Sequence, residues 1–280
     1  MTEDHGHRHT DVDLDAALEV ANDVAEWATK RIRRPRRPDE AREVREKAGP
    51  ADIVTRTDEE IESYVREALH RAFPAHGIQG EEYGTERGTA PDAPFWVVDP
   101  LDGTTNYAHG IGWCSFSLGL VAPDGTPLLG LVADPWRGET FTALRGRGAR
   151  LNGTPTHAAD HTTLTGHLFL TEWAAHAHWP GLDHLLAALS SRHCTTRVMG
   201  STALSLTQVA AGRATAAAVG EFHAVDALPA YLIATEAGAV AIPPTPVYDG
   251  PLVLVAPGVE GEMRGVWEGV APPPGGSVGD

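Results

Sequence analysis

The sequence predicts an α+β chain that passes into α/β alternation, folded as two layered halves. Three observations carry this. Two helical segments come first, four strand-like segments then follow one another with no helix between them, and beyond Gly153 strands and helices alternate. At 280 residues, 42% of them hydrophobic, the chain is long enough to bury a large core. The expected organisation is a polar leader (1–12), an N-terminal α+β part with an antiparallel sheet (13–150), a C-terminal α/β part (151–268) and a disordered Pro/Gly tail (269–280).

The first helix is read from Leu14, Leu18, Ala21, Val24, Ala25, Ala28 and Ile32, whose spacing makes one apolar stripe. Pro35 and Pro38 interrupt the basic segment that follows, so it is no continuous helix, and its arginines read as a solvated connector. The second helix spans about 57–73 and stops at Pro74 and Gly77. Residues 95–99, 113–122, 128–135 and 139–146 have strand patterns, and Asp124-Gly125 supplies a hairpin turn between the second and third. In the second half, 167–173, 195–200, 214–220 and 252–257 read as strands. Helices are expected at 182–190, at 202–212 closed by Gly212, and at 225–238 closed by Gly238, with Pro229 in the first turn of the last.

The formal net charge is −16, and residues 30–47 hold nine of the 22 Lys and Arg but four of the 38 Asp and Glu. So acidic a body does not suit nucleic acid, whose phosphates require basic faces, but it suits a holder of hard cations; solubility explains the charge equally well. Cys114 and Cys194 lie far apart, which argues against a disulfide framework and for a reducing cytoplasm. No apolar run reaches the roughly 18 residues of a membrane span. The leader has no apolar signal core, and its His5, His7 and His9 read as part of a flexible polar segment.

The chemistry concentrates in WVVDPLDGTTNY (96–107). Asp99 ends a buried strand and Asp102 follows a Pro-Leu turn. Two carboxylates so close repel unless protons or a cation lie between them. Hard divalent ions take such oxygens, and the Leu101 carbonyl is a natural further ligand. Gly103 permits close approach of a ligand, and Thr104 and Thr105 open a short helix whose first N–H groups suit an anion. The same residues would also serve as a turn at a strand end. Three other acidic segments are ambiguous in the same way. Glu81 and Glu82 stand in a loop, Asp58 and Asp226 each stand at a helix start, and any of them is explained by solvation or capping alone.

Taken in order, Lys47 with DIVTRTD (52–58), GEE (80–82), WVVDPLDGTTNY (96–107), the G-x-G-A-x-x-N-G pattern (146–153), GSTA (200–203), and Val225-Asp226 with EAG (236–238) resemble the inositol monophosphatase family. That family belongs to the lithium-sensitive, metal-dependent phosphatase superfamily that includes fructose-1,6-bisphosphatase. The resemblance covers about residues 13–257. It implies a layered αβαβα sandwich, a homodimer, two or three Mg²⁺ ions with Mn²⁺ as an alternative, and a small phosphorylated substrate. It implies Glu81, Asp99, Asp102, Asp226 and the Leu101 carbonyl as metal ligands. Asp58 and Thr104, with Glu81, would position and deprotonate the attacking water. Gly103 and Thr104 would bind phosphate. Gly200, Ser201 and Thr202, with Asp102 and Asp226, would line the leaving group, and Lys47 would sit in a mobile loop over the site.

The chain departs from the family at Val225, where Trp is usual, and at Leu228-Pro229, where small residues are usual. Val219 stands where inositol-type members carry a substrate-binding glutamate. Glu221, two residues on and so facing the same way in a strand, is the candidate replacement. The expected activity is Mg²⁺-dependent hydrolysis, by metal-activated water, of a small polar phosphorylated metabolite: inositol-phosphate-like, or a sugar, cyclitol, histidinol or nucleotide phosphate, the departures putting the substrate rather than the reaction in question. The alternatives are a catalytically silent metal- or phosphate-binding member, or phosphate elimination or cyclisation on a related substrate.

Overall fold

The computed structural model describes residues 12–34, 44–49, 52–173, 178–246 and 250–268. The leader, with its three histidines, the tail and residues 35–43 of the basic segment lie outside them. Helices α1 (Leu14–Arg33) and α2 (Arg56–Ala72) form the first layer. Each has one buried stripe and a solvated face, and the rings of Trp27 and Tyr64 stack between them at 3.9 Å. Asp13 caps α1 through the N–H groups of Asp15 and Ala16. Arg31, within the first helix, is buried and bonds Glu60 at 2.6 Å, because α1 continues to Arg33 and turns this position toward α2.

The second layer is an eight-stranded sheet. Its strands are β3 (Gly77–Gly80), β4 (Gly84–Glu86), β5 (Phe95–Asp102), β6 (Ser115–Val121), β7 (Pro127–Asp134), β8 (Glu139–Leu144), β9 (Ala149–Leu151) and β10 (Thr154–Pro155), in the order β10-β9-β8-β7-β6-β5-β3-β4. A separate hairpin, β1 (Arg45–Gly49) with β2 (Asp52–Val54), takes the end of the basic segment. The large sheet is antiparallel except at β3–β5, which pair in parallel because β4 folds back along the edge between them. Sequence reading missed β3 and β4, which are short and glycine-rich. Asp124-Gly125 turns β6 into β7 as expected, with Asp124 accepting the Thr126 N–H.

The fourth layer is a mixed five-stranded sheet of β11 (Leu168–Thr171), β12 (Thr195–Val198), β13 (Ala216–Val219), β14 (Val240–Ile242) and β15 (Leu252–Val255), ordered β12-β11-β13-β15-β14. On its outer face α4 (Leu182–Ser191) and α7 (Glu260–Glu268) cover Phe169, Ala216, Ala218 and Val253. Between the sheets lie α5 (Thr202–Ala210) and α6 (Ala224–Glu236), packed against Val97 and Phe141 on one side and Leu170 and Leu254 on the other. The result is the αβαβα sandwich. The middle helices are buried nearly all round, as helices between two sheets must be, whereas α1 and α2 are amphipathic. β5 is buried along almost its whole length for the same reason: Trp96 and Val98 meet the α1/α2 layer, and Val97 meets the middle layer.

One contact sets the height of α6 over the large sheet. Gly119 and Gly130 are cross-strand partners in β6 and β7, and together they leave a notch that Pro229 enters. A Cβ on Gly130 would come 2.4 Å from the Pro229 carbonyl oxygen. Pro229 sits past the first turn of α6, deeper than sequence reading placed it, because the helix begins at Ala224.

Gly130→Ala is therefore expected to destabilise the protein by about 1–3 kcal/mol through overpacking. Gly261→Ala, at a helical site where a Cβ meets nothing within 4 Å, should leave stability unchanged or slightly raised. Urea unfolding of both variants checks the pair.

Candidate active site

The site begins with a fault in β5. Asp99 lies opposite Ser117 and Asp102 opposite Ser115, so β5 carries one residue more than β6 over this step. In a regular strand, residues three apart point to opposite faces. The extra residue of a bulge brings them back to one face, and Pro100, which has no N–H to give a ladder, is tolerated in it. Both acids consequently address the middle layer, Asp99 toward Asp226 in the first turn of α6 and Asp102 toward the start of α5.

Carboxylate oxygens of Glu81, Asp99 and Asp226 all lie within 4.8 Å of one another. Asp99 Oδ1 also accepts the Leu101 N–H at 2.9 Å, so the strand-end turn and the acidic cluster are both present. Glu81 is brought in by α2. There the fully buried Glu62 accepts the N–H groups of Glu82 at 2.7 Å and Tyr83 at 3.1 Å, and it pairs with Arg66 at 2.9 Å, which shapes the turn after β3. Lys47, on β1, places its ammonium 2.8 Å from Glu81 and 2.7 Å from Glu82. The structure thus brings Lys47 to the site as a charge partner.

Asp102 is held on α5. It accepts from Ser201 Oγ, from Ser115 Oγ at 3.1 Å, and from the N–H groups of Thr202 at 3.0 Å and Ala203 at 2.9 Å. Asp58 is fully buried and closes a capping box with Thr55, so it caps from inside the helix and Thr55 is the N-cap residue. Its other oxygen faces Thr104 Oγ1 at 3.0 Å, and the same hydroxyl lies 2.9 Å from the Leu101 carbonyl. Gly103 begins the short helix α3 (Thr104–Ala108) with φ of 93° and no side-chain cap, which leaves the first-turn N–H groups open to a ligand. Gly103, Thr104, Gly200, Ser201 and Thr202 border one cavity of about 780 Å³, with Glu81 and Asp102 at its side.

Crowding of acids governs the electrostatics. Burial pushes the Asp99 and Asp226 carboxyls well above the usual range, and the charges of Glu81 and Asp102 push them further. Burial raises Asp102 to about 6 against the pull of its α5 and serine donors, and raises Asp58 to about 6 against its bonds from Thr55 and Thr104. Glu82 is raised to about 7 by burial, partly offset by Lys47. Burial also works against the Lys47 charge, but the two glutamates outweigh it and raise its pKa. An all-oxygen donor set that repels itself when empty of positive charge fits a hard divalent cation.

The model of the inositol monophosphatase family matches residues 13–267. The chain belongs to that family. Inositol monophosphatase 3 of Solanum lycopersicum is 34% identical over 211 residues, which cover 71% of this chain and 74% of the relative. Inositol monophosphatase 1 of Sus scrofa is 32% identical over 200 residues, covering 69% and 72%. The solved inositol monophosphatase of Anabaena superposes with a TM-score of 0.77 at 27% identity, covering 94% of this chain and 99% of that one. As a member of the inositol monophosphatase family, the chain is a phosphatase.

Two family expectations meet this chain's own residues differently. Val219 is buried in the apolar core between the sheets. Glu221, its candidate replacement, is half exposed at 3.4 Å from His223 and does not line the cavity, because β13 ends at Val219 and the two-residue strand alternation does not extend to it. Several residues of the site escaped sequence reading, Glu172, Trp173 and Glu62 among them. Glu172 and Trp173 border the cavity, and Glu62 shapes the turn that carries Glu81. Glu172 had a signal, since it closes an apolar strand as Asp99 does. Glu62 had one too, as an acid on the buried stripe of Asp58, Ile61, Val65 and Leu69.

The raised carboxyls predict how pH and metal act on stability. Their folded pKa values exceed the unfolded ones, so between about pH 4 and at least pH 6 the native state binds more protons, and stability falls as pH rises. A cation replaces those protons, so its binding strengthens with pH. The rise in Tm on adding saturating Mg²⁺ should be larger at pH 8 than at pH 5.5, by differential scanning fluorimetry against an EDTA control. Equal shifts would contradict this account of the cluster.

Proposed function

We propose that this phosphatase hydrolyses the phosphomonoester of a small polar metabolite with the aid of divalent cations, Mg²⁺ foremost and Mn²⁺ as an alternative. The observation that carries the reading is the meeting of the Glu81, Asp99 and Asp226 carboxylates, of which Glu81 also borders the cavity lined by the uncapped Gly103–Thr104 turn. Glu81, Asp99, Asp226 and the Leu101 carbonyl would hold two or three ions, with Asp102 joining through whichever lone pairs its α5 donors leave. When bound, such cations supply positive charge against phosphoryl oxygens and acidify water.

The chain's own groups do the rest. The N–H groups at Gly103 and Thr104 orient the phosphate and take up charge as it develops. The Thr104 hydroxyl has one proton and two acceptors, Asp58 and the Leu101 carbonyl. When it gives that proton to Asp58, its lone pairs face the cavity and accept from the attacking water. Asp58 is buried and raised toward neutrality, which suits it to take the proton on. Gly200, Ser201 and Thr202 border the leaving-group side.

The departures from the family bear on the substrate, which in this reading ranges from inositol-phosphate-like compounds to other phosphorylated metabolites. Val219 offers no carboxylate to a polyol, Glu221 does not border the cavity, and Val225 stands where an indole is usual. Inositol, sugar, cyclitol, histidinol and nucleotide phosphates are the classes to test, by phosphate release from a panel with and without Mg²⁺. We extend the proposal to a cytoplasmic homodimer, supported by the family likeness and by two unpaired cysteines.

Asp99→Asn should lower Mg²⁺-dependent phosphate release by about three orders of magnitude or more. The asparagine keeps the oxygen that accepts the Leu101 N–H while removing one repelling charge, so Tm in EDTA should equal or exceed that of the unaltered protein. Retained turnover would remove the reading.

A further inference from the structure

Glu172 directly follows β11, and its side chain is buried beside the cavity. Its Oε2 accepts the Gly200 N–H at 2.5 Å and its Oε1 accepts the Ser205 hydroxyl at 2.5 Å. Those two donors bracket the N-cap Ser201 and the first turn of α5. From the other sheet, Asp102 binds the donors that lie between them: Ser201 Oγ and the N–H groups of Thr202 and Ala203. One helix start is therefore gripped by two buried carboxylates, one from each sheet, and its unpaired N–H groups favour negative charge there.

The Gly200 turn is confined on its other sides as well. Its φ is 83°, and a Cβ there would come 2.9 Å from Asn106 Nδ2. Asn106, in α3, donates to the carbonyls of Met199 at 2.7 Å and Trp113 at 2.8 Å. A Cβ on Gly103 would come 2.8 Å from the Gly200 carbonyl, so the turn presumed by sequence to meet phosphate and the turn that borders the leaving group touch through bare backbone. Asn106 holds the Gly200 turn from the α3 side, and Glu172 holds it from the β11 side.

We infer that Glu172 is a positioning residue of this site: its carboxylate fixes the Gly200 turn and the start of α5 where they border the cavity and bind Asp102. The inference rests on the proposed phosphatase chemistry for its kinetic consequence and on the hydrogen bonds alone for its structural one. A carboxylate can accept both donors at once. A glutamine offers one carbonyl oxygen and turns an NH₂ group toward the second donor, so Glu172→Gln breaks one bond at nearly constant volume. Ser205→Ala breaks one bond without adding a donor.

The test compares the full-length protein with both variants. It measures p-nitrophenyl phosphate turnover in Mg²⁺, the Mg²⁺ half-saturation, Tm, and amide hydrogen exchange. For Glu172→Gln, kcat should fall about tenfold or more while Mg²⁺ half-saturation stays within about twofold, because Glu81, Asp99 and Asp226 are untouched. Exchange over residues 200–204 should quicken about tenfold, while α1, α2 and α7 exchange as before. Ser205→Ala should move the same quantities the same way by less, and it decides the matter if Glu172→Gln does not fold. Unchanged exchange at 200–204, or a lowered Tm with faster exchange throughout and unchanged kcat, overturns the inference. If the unaltered protein releases no phosphate from any monoester tried, the phosphatase chemistry proposed above fails instead, and local exchange alone decides the role of Glu172.

Discussion

The bulge at the end of β5 is the constraint from which the site follows. A strand alternates its side chains, so a regular β5 would send one of Asp99 and Asp102 toward the apolar core that Trp96, Val98 and Leu101 share with the α1/α2 layer. One additional residue puts both acids on the side of the middle layer. Everything else that reaches the site comes to that face: Asp226 on α6, the donors of α5, and Glu81 from a turn that α2 shapes through Glu62.

Such a face is costly to hold empty. Burial and the charges of Glu81 and Asp102 raise the Asp99 and Asp226 carboxyls, and the protein meets the crowding of acids in two ways. Asp102 is neutralised in part by the start of α5 and two serine hydroxyls. Glu81 and Glu82 share the ammonium of Lys47. Asp99 and Asp226 receive no comparable partner among the described residues, and burial with the neighbouring acids raises both carboxyls well above the usual range. The unbalanced charge is concentrated where the proposed chemistry needs a cation.

The sequence was legible wherever pattern and layer coincide. α1 and α2 have one stripe each because they cover one sheet, and α5 and α6 were legible as helices closed by Gly212 and Gly238. The ordered acids were legible through family likeness, since each alone is explained by capping or turn chemistry, and the structure gives Asp58 and Asp99 those bonds as well. The strands that escaped had no periodic signal. β3 and β4 are three or four residues long, and their pairing is set by long-range packing. Glu221 illustrates the limit of counting: strand alternation predicts a facing only while the strand lasts, and β13 ends two residues earlier.

The seating of Pro229 between Gly119 and Gly130 bears on a residue that touches neither glycine. Asp226 precedes the proline by three positions on α6, so the two occupy neighbouring places along one flank of the helix. Sliding or rolling α6 would withdraw Asp226 from its companions, and the snug fit of a ring over two residues without side chains opposes both movements. The carboxylate is thus indexed by a dry, uncharged joint one turn away, which ionic strength leaves unaffected.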